Sequence, residues 1–188
     1  MKYDKSYLRK QSILRRKKKY LTSNKFNFNL IFKLIRENFY KKKITIAGYY
    51  PSNYEVNILN FLEKASKKNF KIVLPVIKSS NIMHFKSWIF KEPLYVNKFG
   101  MLEPKNSSKN IIPDLIMVPL VAFDNHLNRI GYGKGYYDRS LKKISKIKKN
   151  AISLGIAYSF QKCQKIPTNK QDFKLDYVFT EKGIINSN

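Results

Sequence analysis

The sequence predicts a three-layer α/β/α domain with a mainly parallel sheet, and three observations carry that prediction. Four short apolar runs, ITIAGY at 44–49, FKIVLP at 70–75, DLIMVP at 114–119 and AISLGIA at 151–157, have the length of buried strands and are bounded by polar residues, Gly or Pro. Amphipathic stretches of helical period separate them, which is the alternation of a βαβ chain rather than of a sandwich or a bundle. With 188 residues, 43% of them hydrophobic, the chain can bury a core of its own, so residues 1–188 read as one domain.

Along the chain, residues 4–20 set Tyr7, Leu8, Ile13 and Leu14 among basic residues at helical spacing. A second helix follows over 28–40. The run at 44–49 ends in Gly48-Tyr49-Tyr50-Pro51, a strand entering a loop, after which Ser52 or Asn53 can cap a helix over 54–68. That helix turns Val56, Leu59, Phe61 and Leu62 inward and stops at Asn69. Strand 70–75 completes a βαβ unit, which implies a parallel pair, a right-handed crossover and ligands at the carboxyl ends of the strands. Between 77 and 113, a short strand at 81–86 and then Pro93, Gly100 and Pro104 read as hairpin and loop. Strand 114–119 leads through a loop over 120–132 to a helix from Gly135 or Tyr136 to 148, with Tyr137, Leu141, Ile144 and Ile147 on one face. A strand at 151–157 and a last one at 177–180 close the chain.

Charge is the feature most easily misread. The 38 Lys+Arg against 12 Asp+Glu give +26, a balance that ordinarily points to nucleic acid or an anionic membrane. Yet only six of the basic residues are Arg, and Lys, Asn, Ile, Phe and Tyr, all with A/T-rich codons, make up 97 of the 188 residues. Compositional drift produces such a surface without a selected partner, and the lysines are spread over the whole chain, so nucleic acid is not expected as a partner. The longest apolar stretch, 115–123, is too short to span a bilayer. One cysteine, Cys163, excludes an internal disulfide and a cysteine-based zinc site, and the expected compartment is the cytoplasm. His84 and His126 lack any ligand-like spacing.

The strongest chemical signal is the string AFDNHLNRIGYGKGYYDR, residues 122–139. Gly131, Gly133 and Gly135 alternate between a buried strand and a helix, so successive N–H groups can line one concavity at the helix N-terminus, a cradle for phosphate. Arg129 and Lys134 add positive charge, and Asp138, one turn into the helix, offers an oxygen to a phosphate-bridging magnesium. The spacing is neither that of a Walker loop nor that of a dinucleotide fingerprint. A glycine-rich turn that merely lets strand meet helix is the plainer alternative.

At this string the chain closely resembles the 5-formyltetrahydrofolate cyclo-ligase family, also called methenyltetrahydrofolate synthetases. The likeness runs in order from residue 5 to 181, through Lys5-Ser6-Tyr7-Leu8-Arg9, the segment 49–55, GMLEP at 100–104, 119–139 and 161–180. It implies a fold of the sugar isomerase/CoA-transferase type and the ATP- and magnesium-dependent conversion of 5-formyltetrahydrofolate to 5,10-methenyltetrahydrofolate. In that chemistry the γ-phosphoryl group is transferred to the formyl oxygen, N10 closes the ring and phosphate leaves, which asks for positioning and charge neutralisation rather than a protein nucleophile. By the same resemblance Lys5, Arg9, Arg129, Gly131, Gly133, Lys134, Gly135, Tyr136 and Tyr137 bind ATP, with Arg129, Lys134 and Tyr136 as the catalytic residues. Tyr50, Glu55, Phe99, Tyr132 and the stretch 133–136 take the folate, Met83 packs on its rings, and Asp138 and Asp172 hold Mg2+. A monomer is expected.

Two departures accompany the likeness: Phe99 stands where a relative has tryptophan, and Tyr132 where some relatives have arginine, a charge that a phenol cannot replace. The residues also have plainer readings. Glu55 can be a first-turn helix acid, Lys5 and Arg9 a solvated basic face, Asp172 and Asp176 turn residues, Trp88 packing, and Cys163 an inert thiol. The competing functional classes are an inactive folate- or nucleotide-binding relative and a basic RNA-associated protein.

Overall fold

The computed structural model describes residues 4–22, 25–40, 43–77, 83–98, 100–105 and 109–186. Helix α1 (Lys5–Lys19) is capped by Asp4, whose carboxylate accepts the Tyr7 amide at 2.8 Å, and α2 (Asn29–Asn38) buries Ile31, Phe32, Leu34 and Ile35. The βαβ unit is present: β1 (Thr45–Ala47) and β2 (Lys71–Ile77) pair in parallel, with Ile46 opposite Ile72, across helix α3 (Leu59–Lys67).

Helix α3 begins at Leu59 rather than Tyr54, and neither Ser52 nor Asn53 caps it. Asn53 and Tyr54 take φ of 47° and 63°, outside the helical region, and the Ser52 and Glu55 amides close a tight turn, each bonded at 2.9 Å to the other residue. The cap comes from Asn57, whose Oδ1 accepts the Leu59 amide at 3.0 Å. Val56 is buried as the spacing requires, but from the loop. Asn69, at φ 61°, provides the left-handed exit.

Strand β3 (Met83–Ser87) returns antiparallel to β2, and β4 (Tyr95–Val96) and β5 (Leu102–Glu103) form a small hairpin. Then come β6 (Leu115–Pro119), a two-rung hairpin of β7 (Ala122–Phe123) and β8 (Arg129–Ile130), helix α4 (Tyr136–Ile147), β9 (Ile152–Ile156), β10 (Tyr177–Thr180) and β11 (Gly183–Asn186). The hairpin interrupts the stretch expected as plain loop, and β11 lies beyond the last expected strand. The main sheet has the order β11-β10-β9-β6-β1-β2-β3, parallel except at its two edge strands.

Strand alternation divides the core into two layers. On one face Ile46, Ile72, Leu74, Leu115, Met117 and Leu154 meet α2 and α3 through Phe32 and Phe61. On the other Ala47, Val73, Ile116, Val118 and Val178 meet Leu141 and Ile144 of α4. The three-layer α/β arrangement expected from the sequence is therefore the one observed. Gly155 of β9 shows how closely it is packed: a Cβ there would lie 2.6 Å from Leu175, 2.8 Å from Leu120 and 3.2 Å from Val178. Gly155→Ala is expected to cost about 1–3 kcal/mol through overpacking, and calorimetry should show the melting temperature lowered by several degrees; an unchanged melting temperature would mean that the site relaxes freely.

Candidate active site

The carboxyl ends of β1, β6 and β9 open onto one region, and α1 lies over it. Leu8 and Ile13 of α1 pack against Val121, Ala122, Ile130 and Ile166 beside the β7–β8 hairpin. That hairpin is pinned by buried Asp124, whose Oδ1 accepts the His126 and Asn128 amides and whose Oδ2 accepts the Ile166 amide and the Asn128 side chain, all at 3.0 Å. Gln161 closes the back of the region, donating through Nε2 to the Leu120 and Val121 carbonyls at 2.8 and 2.9 Å. Asp124 has no signature in the sequence beyond an Asp near an Asn, because three of its donors are ordinary turn groups and the fourth, the Ile166 amide, is brought to it only by the fold.

The loop after β8 carries the alternate glycines. Gly133 and Gly135 sit at φ 93° and 67°, where a side chain is strained, and Gly135 is the N-cap of α4. Gly131 has no such need. The Arg9 Nε–H donates to the Gly131 carbonyl at 2.7 Å, and the Arg9 guanidinium lies so close to Gly133 that a Cβ would come within 3.3 Å of it. Lys134 is exposed at the tip, while its carbonyl accepts from Arg139, whose guanidinium lies 5.4 Å from the Tyr136 ring centroid. Arg9, Gly131, Gly133, Lys134, Gly135 and Tyr136 are thus gathered around one helix N-terminus.

The two candidate metal carboxylates are each paired with a base. Arg129 is buried, donates from Nη2 to Asp138 Oδ1 at 2.8 Å and from Nη1 to the Phe173 carbonyl at 2.7 Å, and burial lowers its pKa against the pull of Asp138. Asp138 Oδ1 also accepts the Phe173 amide at 3.0 Å. Lys5 pairs with Asp172, which accepts the Asn169 amide at 2.7 Å. Since Phe173 follows Asp172, the Arg129–Asp138 pair is stitched to the Asp172 loop. Among the described residues no cluster of three or more His, Cys, Asp or Glu could hold a metal. Two hard oxygen donors from separate segments, with no third, suit a magnesium ion that takes its remaining ligands from phosphate and water. Asp176 lies elsewhere, bound to Ser153 through its backbone amide and hydroxyl at 2.8 and 2.6 Å.

Glu55 does not begin a helix; it lies in the loop after β1, gripped by the Ser52 amide at 2.9 Å and the Ser52 hydroxyl at 3.3 Å. Burial pushes its carboxyl above the ordinary value, against the opposing pull of Ser52, Arg16 and Tyr132. Tyr132 is pushed up to about 12, first by burial and then by Glu55. Tyr137 is raised too, chiefly by burial and then by Glu55, and Tyr49 likewise, its hydroxyl donating to the Val56 carbonyl at 2.9 Å. The residue that the sequence reading missed is Arg16, 1% exposed, which donates to the Leu120 carbonyl at 3.1 Å and to the Tyr132 hydroxyl. Its signal was available: Lys5, Arg9 and Arg16 fall on one face of α1, Arg16 two turns beyond Arg9.

The sequence model of the 5-formyltetrahydrofolate cyclo-ligase family matches residues 1–181. The chain belongs to that family. It is a family of enzymes, and the chain is similar to the 5-formyltetrahydrofolate cyclo-ligase of Haemophilus influenzae, 32% identical over 136 residues that cover 69% of this chain and 72% of that one. It is likewise similar to the cyclo-ligase of Mycoplasma pneumoniae, 31% identical over 186 residues, covering 95% and 99% of the two chains. Among solved structures, the 5,10-methenyltetrahydrofolate synthetase of Aquifex aeolicus superposes with a TM-score of 0.74 at 28% identity, over 98% of this chain and 93% of that one.

Around this cyclo-ligase centre the other expected residues are placed as follows. Tyr50, partly exposed, lines a cleft of about 320 Å³ with Leu59, Trp88, Phe90, Leu94 and Leu102. Trp88 is buried and donates to the Glu92 carbonyl at 3.1 Å, a packing role. Met83 is buried in the layer beneath α4. Phe99 lies outside the described residues. Cys163 is pushed up to about 11 by burial and by Asp124, so it is protonated and inert at neutral pH. No helix of the described residues is long and apolar enough to cross a membrane.

Proposed function

We propose that the chain converts 5-formyltetrahydrofolate to 5,10-methenyltetrahydrofolate with ATP and Mg2+, releasing ADP and phosphate. The observation that carries this reading is the meeting, at the N-terminus of α4, of Arg9 on the glycine loop with the Lys5–Asp172 and Arg129–Asp138 pairs. Phosphoryl transfer needs charge and alignment more than covalent chemistry, and these groups are suited to provide both.

In this reading Arg9, Lys134 and the amides of 133–136 bind the ATP phosphates, Lys5 steadies them from the start of α1, and Arg129 fixes Asp138 while adding positive charge beside the transferred group. Asp138 and Asp172 would hold Mg2+, which neutralises phosphate charge when bound. Tyr136 and Tyr137 flank the phosphate end. Glu55 accepts N–H groups of the folate ring system, Tyr132 fixes Glu55, and Tyr50 offers a flat surface at the mouth of the apolar cleft. The formyl oxygen is the acceptor of the phosphoryl group, and attack by N10 on the activated carbon closes the ring and expels phosphate.

The test is ultraviolet absorbance of the conjugated methenyl product in mixtures of protein, 5-formyltetrahydrofolate, ATP and magnesium. Product that requires both ATP and magnesium is expected. A folded protein that binds ATP yet makes no product would favour an inactive relative, and the reading would be abandoned.

A further inference from the structure

Arg16 is an anomaly in energetic terms. It is 1% exposed, and its Nε has no hydrogen-bond partner among the described residues. A buried guanidinium with an unmet donor is destabilising relative to an apolar side chain of like volume, and the two bonds that it makes, to a carbonyl and a phenol, do not neutralise it. Its guanidinium carbon lies 5.6 Å from the Tyr132 ring centroid and Nη2 donates to the Tyr132 hydroxyl, and Tyr132 and the Glu55 carboxylate are near enough to shift each other's pKa. The half-buried carboxylate that feels the charge of Arg16 is Glu55, on the far side of Tyr132 in the same electrostatic group.

We propose that Arg16 is a positioning residue for the folate end of the site: by holding the Tyr132 hydroxyl and ring it fixes the phenol beside the Glu55 carboxylate that receives the substrate. The inference rests on the folate reading given above and adds to it a residue outside the glycine loop. Arg16 donates to the Tyr132 oxygen, which leaves the Tyr132 O–H available to donate toward Glu55. An acceptor carboxylate is useful to a ligand only if it stays ionised and points outward, and a cation behind it serves the first need while a shared phenol serves the second. Position on α1 adds a coupling. Arg9, on the same face of that helix, holds the phosphate loop, so one rigid helix spaces the nucleotide end from the folate end.

The experiment measures equilibrium binding by calorimetry of 5-formyltetrahydrofolate without ATP, and separately of ATP with magnesium, to the full chain and its variants. Arg16→Met is expected to weaken folate binding roughly 10- to 50-fold and to leave ATP binding within about twofold, with Arg16→Lys recovering part of the loss. Tyr132→Phe should lose a similar factor, and the double variant Arg16→Met/Tyr132→Phe little more than either, because both break one relay. A folded Arg16→Met that binds folate as the parent does, or that loses folate and ATP equally, overturns the proposal. Should Arg16→Met fail to fold, the pair Tyr132→Phe and Glu55→Gln decides: additive losses overturn the relay. Absence of folate binding in the unaltered chain overturns the folate reading itself, an outcome distinct from parent-like binding by the variant.

Discussion

Asp138→Asn is expected to lower kcat by at least about 10²–10³-fold, the range seen when one preorganised electrostatic group is lost, with the sheet still folded. The amide keeps an oxygen for the Phe173 N–H, so the local backbone bond survives. It loses the negative charge that faces Arg129, whose side chain is 4% exposed against 27% for Asp138. An unpaired buried guanidinium destabilises, here by at most about 3 kcal/mol because water reaches the Asp138 side. Two measurements separate the effects: turnover across a magnesium series, and thermal unfolding. Near-parental turnover with a modest drop in melting temperature would make Asp138 a structural partner of Arg129 and remove it from the metal site. Asp138→Ala, which also orphans the Phe173 amide, should be the less stable of the two.

Glu55→Gln is the second large effect, with kcat/KM for the folate falling about 10²-fold or more, because a carboxylate built to receive N–H groups is replaced by an amide that presents a donor to them. Its pH signature has a definite sign. Burial holds the Glu55 carboxyl above its ordinary value of 4.5. The folded state therefore takes up a proton at a pH where the unfolded chain does not, and this group's contribution to stability rises as pH falls through the raised value toward 4.5, then levels off. Function runs the opposite way, since the useful form is charged. In the parent enzyme, kcat/KM for the folate should fall on acidification through a limb that lies above pH 4.5, while the Gln variant, uniformly slow, lacks that limb. Stability of the variant at neutral pH should not drop, since a desolvated charge has been removed. A limb that persists in Glu55→Gln would assign it to another group.

Much of this architecture could be read from the sequence because the signals are local. The strands β1, β2, β6 and β9 are near-continuous apolar runs, broken only by Thr45, the exposed Lys71 and Ser153, as buried parallel strands tend to be, and the stop at Asn69 is a residue that tolerates the left-handed exit. The alternate glycines stood between strand and helix as expected, though only Gly133 and Gly135 use their freedom of φ. What could not be read is tertiary. The two-residue strands of the β7–β8 hairpin have too few positions to show a period, and β11 exists by pairing with β10. Helix α3 starts later than its apolar pattern suggests because Val56 continues the inner face of Leu59, Phe61 and Leu62 while the turn at 52–55 is closed by hydrogen bonds that no periodicity encodes. Arg16 shares the helix face of Lys5 and Arg9, but among 38 basic residues that register alone does not mark it as one that turns inward.

Helix α1 is joined to the body of the protein chiefly by side-chain bonds from Lys5, Arg9, Arg15 and Arg16, with Leu8 and Ile13 adding apolar contact at the β7–β8 hairpin. The sheet beneath it is sealed by a continuous hydrocarbon core. Such a helix is a sub-global opening unit whose release costs less than melting the rest, and its amides would exchange with solvent ahead of those in β1, β6 and β9. All four of these bases leave in that single event. Heat or denaturant is therefore expected to strip α1 from both ends of the candidate site at once while the seven-stranded sheet still stands.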